Sequence, residues 1–154
     1  IKQYENDTIS IKKVKKSSSS ESIKTVTKNK EAYNTVNNEL KVFTEDDHTI
    51  KGTDYINELY EKFKSSILLL ADDIEVIPKK QYMAFNKVKN ICGITILKNS
   101  MNLFVNLKRG ELDDARGLAK DVSNVGHWAV GDYQIKVEDD GDIEYIMSLV
   151  KQAL

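Results

Sequence analysis

The stretch "IEVIPKKQYMAFNKVKNICGITILKNSMNLFVNLK", residues 74 to 108, decides the fold. It holds four runs rich in β-branched, aromatic and other apolar residues, at 74–78, 81–88, 91–98 and 101–108, with Lys89-Asn90 and Asn99-Ser100 as tight polar turns. Links this short cannot join parallel strands, which need a crossover of about a dozen residues or more. The pattern predicts a four-stranded antiparallel meander. Within the last run Met101, Leu103, Val105 and Leu107 fall on one side, and Asn102, Phe104, Asn106 and Lys108 on the other. Side chains alternate across a strand, so one face is expected to build a core and the other to stay wet.

Helical spacing flanks the meander. Before it, Ile56, Leu59, Tyr60, Phe63, Ile67 and Leu70 recur every three or four residues behind Thr53, a capping residue, with Asp54 and Glu58 near the positive end of the helix dipole. This predicts a helix over about 53–71. After it, Tyr133 to Glu138 alternates as a fifth strand, and Asp139-Asp140-Gly141-Asp142 introduces a last helix with Ile143, Ile146, Met147 and Val150 on one face. The expected domain, 42–154, is α+β: an antiparallel sheet of about five strands with helices packed on one face. Residues 1–14 read as a short β-hairpin around Glu5-Asn6-Asp7, and 15–41, with Ser17 to Ser20 unbroken, as a polar linker. A hairpin alone is not stable in water, so it is expected to complete a sheet elsewhere or to meet a partner.

The chain has 154 residues, 40% hydrophobic and 31% charged, which suits one compact domain with an appendage. The longest wholly apolar run, Ile67 to Ala71, is far below the roughly 20 residues that a membrane helix needs. Cys92 is the single cysteine, which excludes an internal disulfide and fits a cytoplasmic setting. No signal-peptide pattern opens the chain, and Ile1 in place of an initiator methionine suggests a cut from a longer protein.

Charge is banded along the chain. Val76 to Gly110 carries no acid and seven bases, Lys79, Lys80, Lys87, Lys89, Lys98, Lys108 and Arg109. Acids dominate on both sides of this band. Such segregation either makes an anion-attracting surface or lets one element pair with another on folding. With Phe104 among amides and lysines, the first reading gives a nucleic-acid surface in which an aromatic could stack a base; for Phe104 itself a covering loop or a dimer contact is expected ahead of stacking.

The second concentration of chemistry is "NVGHWAVGDY", 124–133. Gly126 and Gly131 permit positive φ on both sides of His127-Trp128, Asp132 can accept backbone hydrogen bonds in a turn, and Trp128 is expected to fill a core gap. His127 is expected to be a structural ring bonded to backbone or to a carboxylate such as Asp121 or Asp132. The rival reading is a ligand, metal or catalytic site centred on His48, Arg116, Asp121, His127 and Asp132. Two histidines make a closed zinc site hard to build, so no metal or cofactor is expected. Ser123 lacks an elbow motif and Cys92 lies in a strand expected to be buried, which sets a nucleophile triad aside. Arg116, within "LDDARG", reads as an internal ion pair more than an anion clamp. Glu39-Leu40-Lys41 has the lettering of a nuclease core but sits in the linker, and phosphate-binding glycine motifs are absent.

The segments "TEDDHTIKG" (44–52) and "ELDDARGLAKDVSNVGHWAVGDYQI" (111–135), with the strands between them, resemble a domain family labelled "predicted transport protein", whose members often follow a restriction-endonuclease-like domain. Ala115 departs from it, standing where the family usually shows proline. The resemblance covers about 42–154 and implies a fold and a domain context without catalytic residues. The opening "IKQYENDTISIKKV" is similar to the closing strands of that endonuclease-like domain. The transport label finds no support in a sequence without a membrane span. The reading is therefore a non-catalytic accessory domain of an endonuclease-like protein that binds DNA, RNA or a partner subunit. A small enzyme or ligand-binding domain and a homodimerisation module are the alternatives.

Overall fold

The computed structural model describes Lys2–Gln3, Ile9–Ser10 and residues 42–154. The chain divides into two units between Lys41 and Val42. In the first, β1 (Lys2–Gln3) pairs antiparallel with β2 (Ile9–Ser10), Lys2 opposite Ser10 and Gln3 opposite Ile9. The expected turn at Glu5-Asn6-Asp7, the linker 15–41 and Glu39-Leu40-Lys41 lie outside the described residues.

The second unit opens with a one-turn helix, α1 (Asp46–Thr49), followed by α2 (Asp54–Leu68). Thr53 caps α2 through its hydroxyl, which accepts from the Ile56 N–H at 3.4 Å, and its own N–H donates to the Lys98 carbonyl. The helix start is thereby tied to a sheet turn. The meander follows as β3 (Glu75–Pro78), β4 (Met83–Asn86), β5 (Asn90–Ile96) and β6 (Met101–Val105). A sixth strand, β7 (Lys120–Asp121), precedes β8 (Tyr133–Val137), and α3 (Ile143–Lys151) closes the chain. The spatial order is β3-β4-β5-β6-β8-β7, and every neighbouring pair is antiparallel. The fold is α+β, as the alternation predicts, with one strand more than expected. Both residues of β7 are exposed, so no apolar alternation marks it in the sequence.

Register sorts the two faces. Met83, Ile94 and Leu103 align across the sheet with Ile135, and Phe85, Cys92 and Val105 form a second row. These rows pack with Ile56, Leu59, Tyr60, Phe63 and Ile67 of α2 and with Ile146, Met147, Leu149 and Val150 of α3 in one buried cluster. Each fully buried large side chain there contributes about 1.5–3 kcal/mol. The buried Tyr60 hydroxyl donates to Glu45 at 2.9 Å, and Lys64 bonds the same carboxylate, which fastens the segment before α1 to α2. On the opposite face Ala84, Gly93, Phe104, Gln134 and Lys120 form one cross-strand row. Among the described residues no helix is seen over that row; the segment between β7 and β8 lies on it, with His127 on Phe104 and Ala129 beside Gly93.

Candidate nucleic-acid interface

The connection from β7 to β8, residues 122–132, is built by local polar contacts and one close approach. Asp121 starts it, its carboxylate accepting from the Ser123 N–H and hydroxyl at 2.9 and 2.6 Å. Asp132 ends it: its carboxylate accepts from the Arg109 N–H, its N–H donates to the Leu107 carbonyl, and its carbonyl accepts from Val122. Gly131 has φ +81°, and a Cβ on it would lie 1.9 Å from the Val105 carbonyl oxygen, so only glycine fits. Gly126 has no positive φ, against expectation, and makes no such close approach.

His127 is the staple of this segment. Its ring lies parallel on Phe104, with centroids 5.3 Å apart and planes 9° apart, and leaves Phe104 only 5% exposed. Its two nitrogens sit 2.8 Å from the carbonyl oxygens of Val125 and Gly131. Carbonyls only accept, so the ring satisfies both when each nitrogen carries a hydrogen. The partners are backbone groups; neither Asp121 nor Asp132 bonds the imidazole. Of the readings of Phe104, a platform for a base or a ring beneath a covering loop, the structure shows the covering loop, with histidine closing the ring off.

Trp128 reverses its expected role. With His127 turned inward on Phe104, and Ala129 inward over Gly93, the residue between them projects outward: Trp128 is 77% exposed and fills no core gap. It borders a cleft of about 290 Å³ lined also by Lys79, Lys80, Gln81 and Tyr82, the turn from β3 to β4. Gly93 shapes the neighbouring floor, since a Cβ there would meet the Tyr82 ring at 2.9 Å and Ala129 at 3.4 Å. The turn is held from below. His48, 1% exposed, contacts the Lys79 carbonyl through Nε2 at 2.7 Å, and the Lys79 N–H donates to the Tyr82 carbonyl. His48 is therefore a structural side chain placed by α1.

The bases do not gather in one patch. An antiparallel meander puts the turns 79–82 and 97–100 at one end of the sheet and 87–89 and 106–110 at the other. Lys79, Lys80 and Lys98 thus share the end beside Trp128, whereas Lys87, Lys89, Lys108 and Arg109 occupy the far end. There Lys87 pairs with Asp73 at 3.1 Å and Arg109 with Asp121 at 3.0 Å. Among the described residues no carboxylate pairs with Lys79, Lys80 or Lys98.

The residues of the rival site are engaged separately. Arg116 pairs with Asp142 at 2.6 Å and lies 4.7 Å above the Tyr145 ring, so its ion pair is with the entry to α3 and not with the acids beside it. Asp121 and Asp132 meet at Arg109, away from His48 on α1. Among the described residues no three His, Cys, Asp or Glu side chains cluster as a metal site. Burial pushes the Cys92 thiol up from its ordinary range, away from the reactive thiolate. Trp128 is the side chain hardest to place from the sequence; the glycines on both sides of it, Gly126 and Gly131, are the local signal of a turn.

Fold and surface together define a small α+β domain that displays the exposed Trp128 and, at the same end of its sheet, lysines without a carboxylate partner among the described residues. The chain belongs to the family described as "Domain of unknown function (DUF5655)", whose model matches residues 45–154. It is similar to a protein of Haemophilus influenzae (strain ATCC 51907 / DSM 11121 / KW20 / Rd) called "Uncharacterized protein", 46% identical over 154 residues, which is all of this chain and 51% of the relative. The chain spans about half the length of that curated relative. No solved structure matches it. Among the described residues no helix is long and apolar enough to cross a membrane.

Proposed function

We propose that this chain is a non-catalytic accessory domain that binds nucleic acid through the sheet end carrying Lys79, Lys80 and Lys98. The observation that carries the reading is that these three lysines are exposed and, among the described residues, have no carboxylate partner, with Lys79 and Lys80 beside the exposed Trp128. Lysines left free in this way exchange counterions for phosphates, which is the main source of sequence-independent affinity. The far-end bases support it less, since two of the four already have acidic partners. The relative's additional length leaves room for the endonuclease-like domain that the family resemblance implies, and a cytoplasmic setting suits the single buried thiol.

Fluorescence anisotropy of labelled oligonucleotides tests the function. Binding at about 50 mM salt that weakens steeply by about 200 mM is expected. An absence of binding to both DNA and RNA at the lower salt would end the proposal.

A further inference from the structure

The cleft beside Trp128 has a chemistry that the lysines alone do not explain. An indole 77% exposed is unusual for the largest apolar side chain, and it is held there by the His127 staple and by the inward turn of Ala129. Tyr82 lines the same hollow, and Lys79 and Lys80 stand at its rim. Its volume, about 290 Å³, sits just below the roughly 300–1,000 Å³ of small-molecule pockets, a size for one flat heterocycle and not for a base pair. Aromatic faces next to unpaired ammonium groups match a nucleotide: π-surface for the base, positive charge for the phosphate.

We infer that the Trp128–Tyr82 cleft takes an unpaired base of a single-stranded nucleic acid, stacked on the indole, with Lys79 and Lys80 on the adjoining phosphates. This rests on the nucleic-acid reading above and narrows it to strands whose bases are free to leave a helix. A paired base hides its faces in the duplex stack and offers the indole nothing to cover. Gly93 belongs to the same device, because any side chain there displaces the Tyr82 ring.

The test uses the full chain, whose single tryptophan makes emission a report from the cleft itself. The probes are an oligothymidine of about 12 nucleotides, a duplex of matched length and a polyglutamate peptide. The single strand is expected to quench Trp128 and to bind more tightly than the duplex. Trp128→Ala is expected to weaken single-strand binding by roughly 5- to 100-fold, as loss of one stacked base does, with Trp128→Phe recovering part of it. Lys79→Ala with Lys80→Ala is expected to weaken both nucleic acids alike. An unchanged thermal midpoint in Trp128→Ala confirms that the fold is intact. Equal binding of duplex and strand with unaltered emission would overturn the inference and leave the nucleic-acid function standing. No binding of either nucleic acid would remove both, and quenching by polyglutamate alone would assign the cleft to an acidic protein partner instead.

Discussion

Gly131 and His127 do the structural work that puts Trp128 in water. At Gly131 the left-handed backbone alone costs an L side chain about 1–2 kcal/mol. The clash with Val105 adds to that, so Gly131→Ala is expected to destabilise by more than about 2 kcal/mol in chemical denaturation. A variant as stable as the parent would mean that the chain does not pass this close to β6. His127→Phe separates stacking from hydrogen bonding. It keeps a ring over Phe104 while removing the ring N–H donation to the Val125 or Gly131 carbonyl, worth about 1 kcal/mol, and a loss of about 1 kcal/mol is expected from the same measurement. No loss would show that stacking alone holds the segment. His48 belongs in the sequence to the rival ligand site, yet a single helical turn buries it with its ring on the Lys79 carbonyl.

Among the elements, the segment 111–119 is clamped to α3 by Asp114. Its carboxylate accepts from the Ala119 N–H and the Tyr145 hydroxyl, both at 2.7 Å. Desolvation pushes the Asp114 carboxyl up, but the Ala119 N–H, the Tyr145 hydroxyl and the N–H groups of Gly117 and Arg116 outweigh it and hold it below its usual range. A carboxyl depressed on folding contributes stability above its unfolded value, about 3.9, and loses it as the pH falls through the folded value. Asp114→Asn lacks that contribution throughout. The gap in thermal midpoint between parent and Asp114→Asn is therefore expected to be constant above about pH 5 and to shrink below about pH 4. A gap that does not change with acid would contradict the clamp.

The elements also differ in how plainly they are written in the sequence. For α2, α3 and β3 to β6, apolar periodicity coincides with the face that packs, because both are set by the same core. The run 101–108 pairs only as far as Val105, after which the Asn106 and Leu107 N–H groups bond the Ile91 and Val105 carbonyls in a turn. β7 leaves no pattern, being two exposed residues selected by their neighbour β8. Trp128 was hidden for another reason: its direction depends on Phe104 and Gly93, more than twenty residues away, and hydrophobicity by itself points it to the core.

For the molecule as a whole, the decisive quantity is how its cations are divided. If the three at the Trp128 end alone meet phosphates, the slope of log affinity against log salt for a single strand is expected near about −2; if all seven did, it would be near about −5. Lys87→Ala with Lys89→Ala is expected to leave anisotropy titrations almost unchanged, because that pair lies at the opposite end. A steep slope, or a loss in that variant equal to the loss at Lys79 and Lys80, would favour a strand running the length of the sheet.

The covered sheet with an outward indole can be checked without any ligand. In the free protein, acrylamide quenching of the single tryptophan is expected to be strong, with emission at the long wavelengths of an indole in water. Blue-shifted emission resistant to quenching would place Trp128 in the core and contradict the account from the His127 staple onward.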